Sequence, residues 1–278
     1  QRQMCIRDRH MSDYEKIKLI VADMDGTLLD DHKELDTAIV GVVKKLNMRG
    51  IHFTLASGRN IHIMKPYLEQ LPISLPFITN NGANIFQNDT CIYEKNMEAK
   101  ELYYAFQVLE QHNIPYIAYS DEAVFTREEK DSIKFFLDRL RGKAPIRIVK
   151  KDTILKESIF KVVMVNEDTE GMKDIMDQIN EYCINLQCVR SEDSIYTITH
   201  VNAVKGKTLE YLINLLGIKK EEVMVFGDNF NDMTMFEIAG ISVAMENSQN
   251  EVKEKADYQA GSNNHNGVSA FLKKIYRI

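Results

Sequence analysis

Short apolar runs that stop on polar residues alternate along this chain with stretches in which apolar positions recur every three or four residues. Lys16 to Ala22 carries Ile17, Leu19, Ile20, Val21 and Ala22 and ends abruptly at Asp23. A run apolar on both faces predicts a buried parallel strand. From Asp36 to Arg49, residues Ile39, Val42, Val43 and Leu46 fall on one helical face, with Gly50 as a C-terminal stop. A second strand is expected over Ile51 to Ala56, ending at Ser57-Gly58-Arg59. A helix over Asn60 to Gln70 and a short strand, Phe77 to Thr79, follow, the latter ending at Asn80-Asn81-Gly82. Strand and helix in alternation predict a parallel sheet with helices on both faces.

The rhythm changes from about Ile85 to Glu192. A hairpin-like pair flanks Asn88-Asp89, a helix runs from Glu98 to His112, and two neighbouring strands cover Ile114 to Ser120 and Ala123 to Arg127. A helix over Asp131 to Arg141, a strand over Ile159 to Asn166, a helix over Thr169 to Cys183 and a strand near Leu186 to Arg190 complete the segment. Strands separated by turn-length gaps predict an antiparallel sheet, hence a separate α+β domain. Alternation then resumes with helix Lys207 to Leu216, strand Val223 to Phe226, helix Asn231 to Ala239, strand Ile241 to Ala244 and helix Gly267 to Tyr276. The expected organisation is a doubly wound, Rossmann-like α/β core made of residues 12–84 and 193–278, with an α+β domain of residues 85–192 inserted into it.

Composition narrows the picture. A length of 278 residues favours two domains over one. The net charge is −6, and the first eleven residues are locally basic (Arg2, Arg7 and Arg9 against Asp8), so the remainder is more acidic still. An acidic body without runs of Lys and Arg excludes nucleic acid as the expected partner. Cys5, Cys91, Cys183 and Cys188 are scattered, with no CxxC pair and no disulfide framework, as in a reduced cytoplasmic protein. No apolar run approaches the roughly 18 residues of a membrane span, and residues 1–11 lack the apolar stretch of a secretory signal. That polar leader, ending in His10-Met11, reads as a non-native addition. The expected partner is a small metabolite, and the expected state a monomer or a weak homo-oligomer.

Ligands of open parallel sheets sit beyond the carboxyl ends of the strands, where this sequence places Asp23, Ser57, Asn81 and Asp228. Asp23-Met24-Asp25-Gly26-Thr27 sets two carboxylates two residues apart, beside a glycine suited to a sharp turn. It is no EF-hand loop: the glycine follows the second Asp directly, and a strand precedes instead of a helix. Gly227-Asp228-Asn229-Phe230-Asn231-Asp232 opens a helix after another buried strand. Carboxylates gathered from both segments need a cation, and hard oxygen donors suit Mg²⁺. Gly206-Lys207-Thr208 resembles the end of a P-loop, but that motif's first glycine would fall on Val201. Histidines 32, 52, 62, 112, 200 and 265 show no metal-ligand spacing, so none is assigned to catalysis.

Asp23-x-Asp25-Gly-Thr27-Leu, Ser57-Gly58-Arg59, Lys205-Gly and Gly227-Asp228-x-x-Asn231-Asp232, in this order, resemble the four motifs of the haloacid dehalogenase superfamily. Asn80-Asn81-Gly82-Ala83, Val243 to Asn247 and Ala256-Asp257-Tyr258 resemble its Cof-type subfamily, class IIB. The resemblance implies a core with an inserted C2-type cap and a magnesium-dependent phosphatase. It implies that Asp23 attacks phosphorus and that Asp25 protonates the leaving oxygen and then activates water. Thr27, Ser57, Gly58, Lys205 and Asn231 would bind the phosphate or substrate. Asp23, Asp228 and the backbone carbonyl of Asp25 would hold Mg²⁺, with Asp232 supporting them. Asp25 is expected to need a raised pKa to serve as an acid.

A phosphomutase shares these motifs, whereas a phosphometabolite sensor would have lost one of Asp23, Asp25, Lys205 or Asp228. A P-type ion pump would need membrane spans. Sugar phosphates lead as substrates, with pyridoxal phosphate and flavin mononucleotide open. Tyr119, Ser120 and Lys161 are the candidate specificity residues of the inserted domain.

Overall fold

The computed structural model describes residues 14–142, 144–192 and 194–278; the leader of residues 1–11 lies outside them. The chain divides into two compact units, one of residues up to Arg59, Met64–Tyr93 and Val204–Ile278, the other of Asn60–Ile63 and Glu94–Ala203. No helix among the described residues is long and apolar enough to cross a membrane.

In chain order the first stretch holds β1 (Leu19–Ala22), α1 (Ile39–Asn47), β2 (His52–Leu55), α2 (Ile61–Leu68), β3 (Phe77–Thr79), β4 (Asn84–Gln87) and β5 (Thr90–Glu94). The insertion follows with α3 (Ala99–Gln111), β6 (Tyr116–Tyr119), β7 (Val124–Thr126), α4 (Asp131–Leu140), β8 (Ile146–Ile148) and α5 (Lys151–Ile154). It ends with β9 (Lys161–Val165), α6 (Thr169–Tyr182), β10 (Leu186–Glu192) and β11 (Ile195–His200). The first unit then resumes with α7 (Lys205–Leu216), β12 (Val223–Gly227), α8 (Met233–Phe236), β13 (Ile241–Ala244), α9 (Asn250–Lys253), β14 (Tyr258–Gln259) and α10 (Gly267–Tyr276).

In the first unit the main sheet has the order β14-β13-β12-β1-β2, and every neighbouring pair is parallel. Strand β1 is buried along its whole length, as its two-sided apolar run requires in a sheet covered on both faces. Helix α1 buries Ile39, Val42, Val43 and Leu46, the face its spacing predicts. One expectation changes: Phe77–Thr79 does not extend the parallel sheet but pairs antiparallel with β4, in a separate sheet of order β3-β4-β5. Its parallel tie to the main sheet is a single bridge, Ala56 to Ile78. Helix α8 is also shorter than the expected Asn231 to Ala239, because Phe230–Asp232 forms a separate 3₁₀ turn.

The second unit is a six-stranded sheet of order β10-β11-β9-β6-β7-β8. It is antiparallel except for β7 and β8, so the sheet is mixed. Phe106 and Tyr116, stacked with centroids 4.3 Å apart, share its core with Val162, Met164 and Ile198. The borders fall at Tyr93/Glu94 and Ala203/Val204, not at 84/85 and 192/193. The hairpin β4-β5 completes a sheet of the first unit, and β11 fills the place between β9 and β10 in the second.

Candidate active site

The amide of Asp23 donates to the carbonyl of Phe226 at 3.0 Å, carrying the β1–β12 ladder one residue past the strand. The chain then doubles back, with the Met24 carbonyl accepting from the amides of Leu28 at 2.9 Å and Leu29 at 2.8 Å. Gly26 makes this turn with φ +76°, and a β-carbon there would collide with the Asp228 carboxylate. Only glycine fits both conditions. The carbonyl of Gly26 accepts from Asn247 Nδ2 at 2.8 Å, and Asn247 Oδ1 accepts from the Asn263 amide at 3.1 Å. The turn after Asp23 is thereby braced by Asn247, which Asn263 holds in its turn.

Helix α7 begins at Lys205, whose buried Nζ donates to Asp23 Oδ1 and Asp232 Oδ1, each at 2.7 Å. The other oxygen of Asp232 accepts from the amides of Asp228 at 3.0 Å and Asn229 at 3.1 Å. Asp232 therefore spends both oxygens on holding Lys205 and shaping the loop after β12. Asp23, Asp228 and Asp232 each offer an oxygen within 4.8 Å of the others. Burial pushes the Asp23 carboxyl up, against the pull of Lys205 and with the help of Asp232 and Asp228. Asp228 is pushed up to about 6 by burial, with the hydrogen bond from Thr27 opposing and Asp232 adding. Burial works against the charge of Lys205, but Asp23 and Asp232 hold its ammonium protonated, well above the usual lysine range. Three hard donors against one ammonium are a set that fits a hard divalent cation.

Asp25 departs from expectation. Its carboxylate is gripped by Arg59, Nε to Oδ2 at 2.6 Å and Nη2 to Oδ1 at 2.7 Å, and by Lys33 Nζ at 2.9 Å from Oδ1. Burial pushes the Asp25 carboxyl up, but the hydrogen bonds from Arg59 and Lys33 outweigh it and hold the group below the usual range. The expected upward shift from neighbouring carboxylates is therefore corrected: the cations win.

The remaining residues fall around this centre. Thr27 Oγ1 donates to Asp228 Oδ1 at 2.8 Å, so its hydroxyl proton orients a carboxylate. Ser57 is fully buried at the end of β2, and its Oγ accepts from the Arg59 amide at 3.2 Å. Gly58 lies against Asn81, whose Oδ1 would be 2.9 Å from an added β-carbon; that same oxygen accepts from Asn231 Nδ2 at 2.9 Å. In the second unit, the Ser120 hydroxyl is committed to the turn it closes, accepting from the Ala123 amide and donating to the Ala123 carbonyl, both at 3.1 Å. Lys161 Nζ stands 5.9 Å from the centre of the Tyr119 ring.

Lys33 and Tyr67 escape any reading by motif. Lys33 sits in a hairpin turn between Leu29 and Leu35, at φ +66°, and its carbonyl accepts from the Tyr67 hydroxyl at 2.9 Å. The only sequence signal was the cluster of turn formers, Asp30-Asp31-His32-Lys33, directly after the first motif.

A profile of the haloacid dehalogenase-like hydrolases matches residues 20–272. The chain is 31% identical over 264 residues to YxeH of Bacillus subtilis (strain 168), across 93% of this chain and 98% of that protein. It is 26% identical over 283 residues to YwtE of the same strain, a 5-amino-6-(5-phospho-D-ribitylamino)uracil phosphatase by name, across 93% and 98% of the two chains. Among solved structures, TM0651 from Thermotoga maritima matches with a TM-score of 0.83 at 27% identity, over 93% of this chain and 97% of its own.

Proposed function

Because this chain belongs to the haloacid dehalogenase-like hydrolase family and is one of its phosphatases, we propose that it hydrolyses phosphate monoesters of sugars and related polyols, with Mg²⁺, through a phosphorylated Asp23. The observation that carries this reading is the buried ammonium of Lys205 bridging Asp23 and Asp232 at 2.7 Å each, with Asp228 in the same cluster. The similarity to YwtE, named for a phosphorylated ribityl compound, supports a polyhydroxy substrate. The cysteines support a cytoplasmic setting: Cys91, Cys183 and Cys188 are all thiols.

Asp23, Asp228 and the Asp25 backbone carbonyl would hold Mg²⁺, with Asp232 in support, and the ion would offset the charge of the phosphate oxygens. Asp23, fixed by the β1–β12 ladder, forms a bond to phosphorus while the ester oxygen departs with the bonding pair. Lys205 and Ser57 hold phosphoryl oxygens, with Gly58 and Asn231 beside them, and Thr27 keeps Asp228 in place. Asp25 gives the departing oxygen its proton; a phosphate dianion brought next to it would favour uptake of that proton. In the second half, Asp25 takes a proton from the water that attacks phosphorus, and Asp23 is released as a carboxylate.

The test is a screen of phosphorylated metabolites for free phosphate, with and without EDTA. Release of phosphate without isomer formation, lost on chelation, is the expected result. Asp23→Asn should cost several orders of magnitude, since a neutral amide cannot attack phosphorus. Acid-quenched, radiolabelled enzyme should carry its label on the peptide containing Asp23; label that never appears there, with Asp23→Asn still turning over, means direct attack by water.

A further inference from the structure

Asp25 has both carboxylate oxygens engaged by cations. Arg59 meets it as a two-pronged fork at 2.6 and 2.7 Å, a pairing that fixes a carboxylate's plane as well as its position. Lys33 adds a third contact at 2.9 Å. Tyr67 ties the two cations together: its hydroxyl holds the Lys33 carbonyl at 2.9 Å, and the Arg59 guanidinium lies 5.3 Å from the centre of its ring. The Lys33 backbone is set by a turn built for it. Asp30 Oδ1 accepts from the amides of His32 at 2.9 Å and Glu34 at 2.8 Å, and the Lys33 amide donates to the Asp30 carbonyl at 3.0 Å. The turn is tied down from outside as well, where Asn264 Nδ2 donates to Asp31 Oδ2 at 3.0 Å.

A side chain with two rotatable bonds, held at both oxygens, has one orientation. A carboxylate that must take a proton from an attacking water needs a fixed orientation. We propose that Lys33, Arg59 and Tyr67 form a positioning clamp that holds the Asp25 carboxylate in one orientation for the hydrolytic half of the reaction. This rests on Asp25 being the base of that half. In the step the clamp serves, the water oxygen bonds to phosphorus and the phosphorus–Asp23 oxygen bond breaks with its electron pair returning to Asp23. The water's proton passes to Asp25.

An aryl phosphate separates the two halves, because p-nitrophenolate leaves without needing a proton. With p-nitrophenyl phosphate, kcat/KM reports transfer to Asp23 and kcat is sensitive to dephosphorylation. Lys33→Met and Arg59→Ala should lower kcat about tenfold, a fraction of the roughly 10² to 10⁴ that a general base supplies. They should leave kcat/KM within about twofold and raise the steady-state fraction of labelled phosphoenzyme. Tyr67→Phe should do the same to a smaller extent, added guanidinium should restore kcat in Arg59→Ala, and Arg59→Lys should fall between it and the unaltered enzyme. If kcat and kcat/KM drop together with no accumulation of phosphoenzyme, or if neither changes, the clamp is wrong. Asp25→Asn tells that failure from a deeper one. Accumulation in Asp25→Asn but not in the clamp variants overturns the clamp alone; no accumulation in Asp25→Asn removes the base, and the clamp with it.

Discussion

Asp23 and Asp232 share the buried ammonium of Lys205, and Asp228 stands in the same cluster; the three carboxylates are held against their own repulsion, and this should be measurable one residue at a time. In the unfolded chain the carboxyl of Asp228 ionises near 3.8, whereas in the fold it is pushed up to about 6. Between those values the folded, metal-free chain keeps a proton that the unfolded chain has lost. This stabilisation is therefore full below 3.8 and is lost as pH rises through about 6. Asp228→Asn, which cannot ionise, should raise the melting temperature in EDTA at pH 7.5, with the gain shrinking near pH 4.5, and should abolish the further rise that Mg²⁺ gives the unaltered protein. Removing the cation acts the other way. Lys205→Met leaves Asp23 and Asp232 without their shared partner and should cost on the order of 3 to 5 kcal/mol at neutral pH by denaturant titration. Asp23, Asp228 and Asp232 were legible in the sequence because they follow the ends of two buried strands, β1 and β12, that the sheet pairs, whereas Lys205 was legible only through the motifs it resembles. The partners of Asp25 were not. A fork from Arg59 and a lysine across a turn depend on side-chain rotamers and on the path of a hairpin, which no spacing encodes.

At the level of elements, the long buried segments were readable and the short exposed ones were not. Strands β1 and β13 and helix α10 follow their apolar patterns closely, whereas β8 has three residues with Arg147 and Ile148 exposed, and β14 has two. Such edge segments carry too little burial to leave a period in the sequence. Strand β11 is a different case: Ile195-Tyr196-Thr197-Ile198-Thr199 is rich in strand formers, and its absence from the expected order displaced the domain border. The Asn80–Gly82 turn shows how elements hold the site without touching it. Thr208 Oγ1, on α7, donates to the Gly82 carbonyl at 2.6 Å in a buried position, fixing the turn that presents Asn81 to Asn231. Thr208→Val keeps the shape but strands that carbonyl, and should destabilise the protein by about 1 to 3 kcal/mol. A rise in KM larger than the fall in kcat would accompany it if the turn serves binding.

For the whole molecule, all the motif residues lie in one unit while Asn60–Ile63 and Glu94–Ala203 make up the other, with its own core. Exchanging Glu94–Ala203 for the matching segment of a relative with another substrate should transfer the substrate ranking and leave the dependence on Asp23 and Mg²⁺ intact. A folded chimera that keeps the original ranking would place specificity in the first unit. The borders for that exchange come from the sheets, since a cut at 84/85 would divide β3 from the hairpin that completes it. The pairing of β1 with β12 has a consequence for biosynthesis. The two strands are separated by about 200 residues of chain, which a ribosome moving at about 5 to 20 residues per second takes roughly 10 to 40 s to supply. For most of that interval β1 and β2 stand with one flank of β1 unpaired, and the inserted segment, which ends at Ala203, is complete only near its close. Asp23 thus exists early in translation but meets Asp228 and Asp232 only when they are made, so a nascent chain truncated between Ala203 and Val223 should expose a sticky, inactive sheet fragment and a finished, protease-resistant insertion.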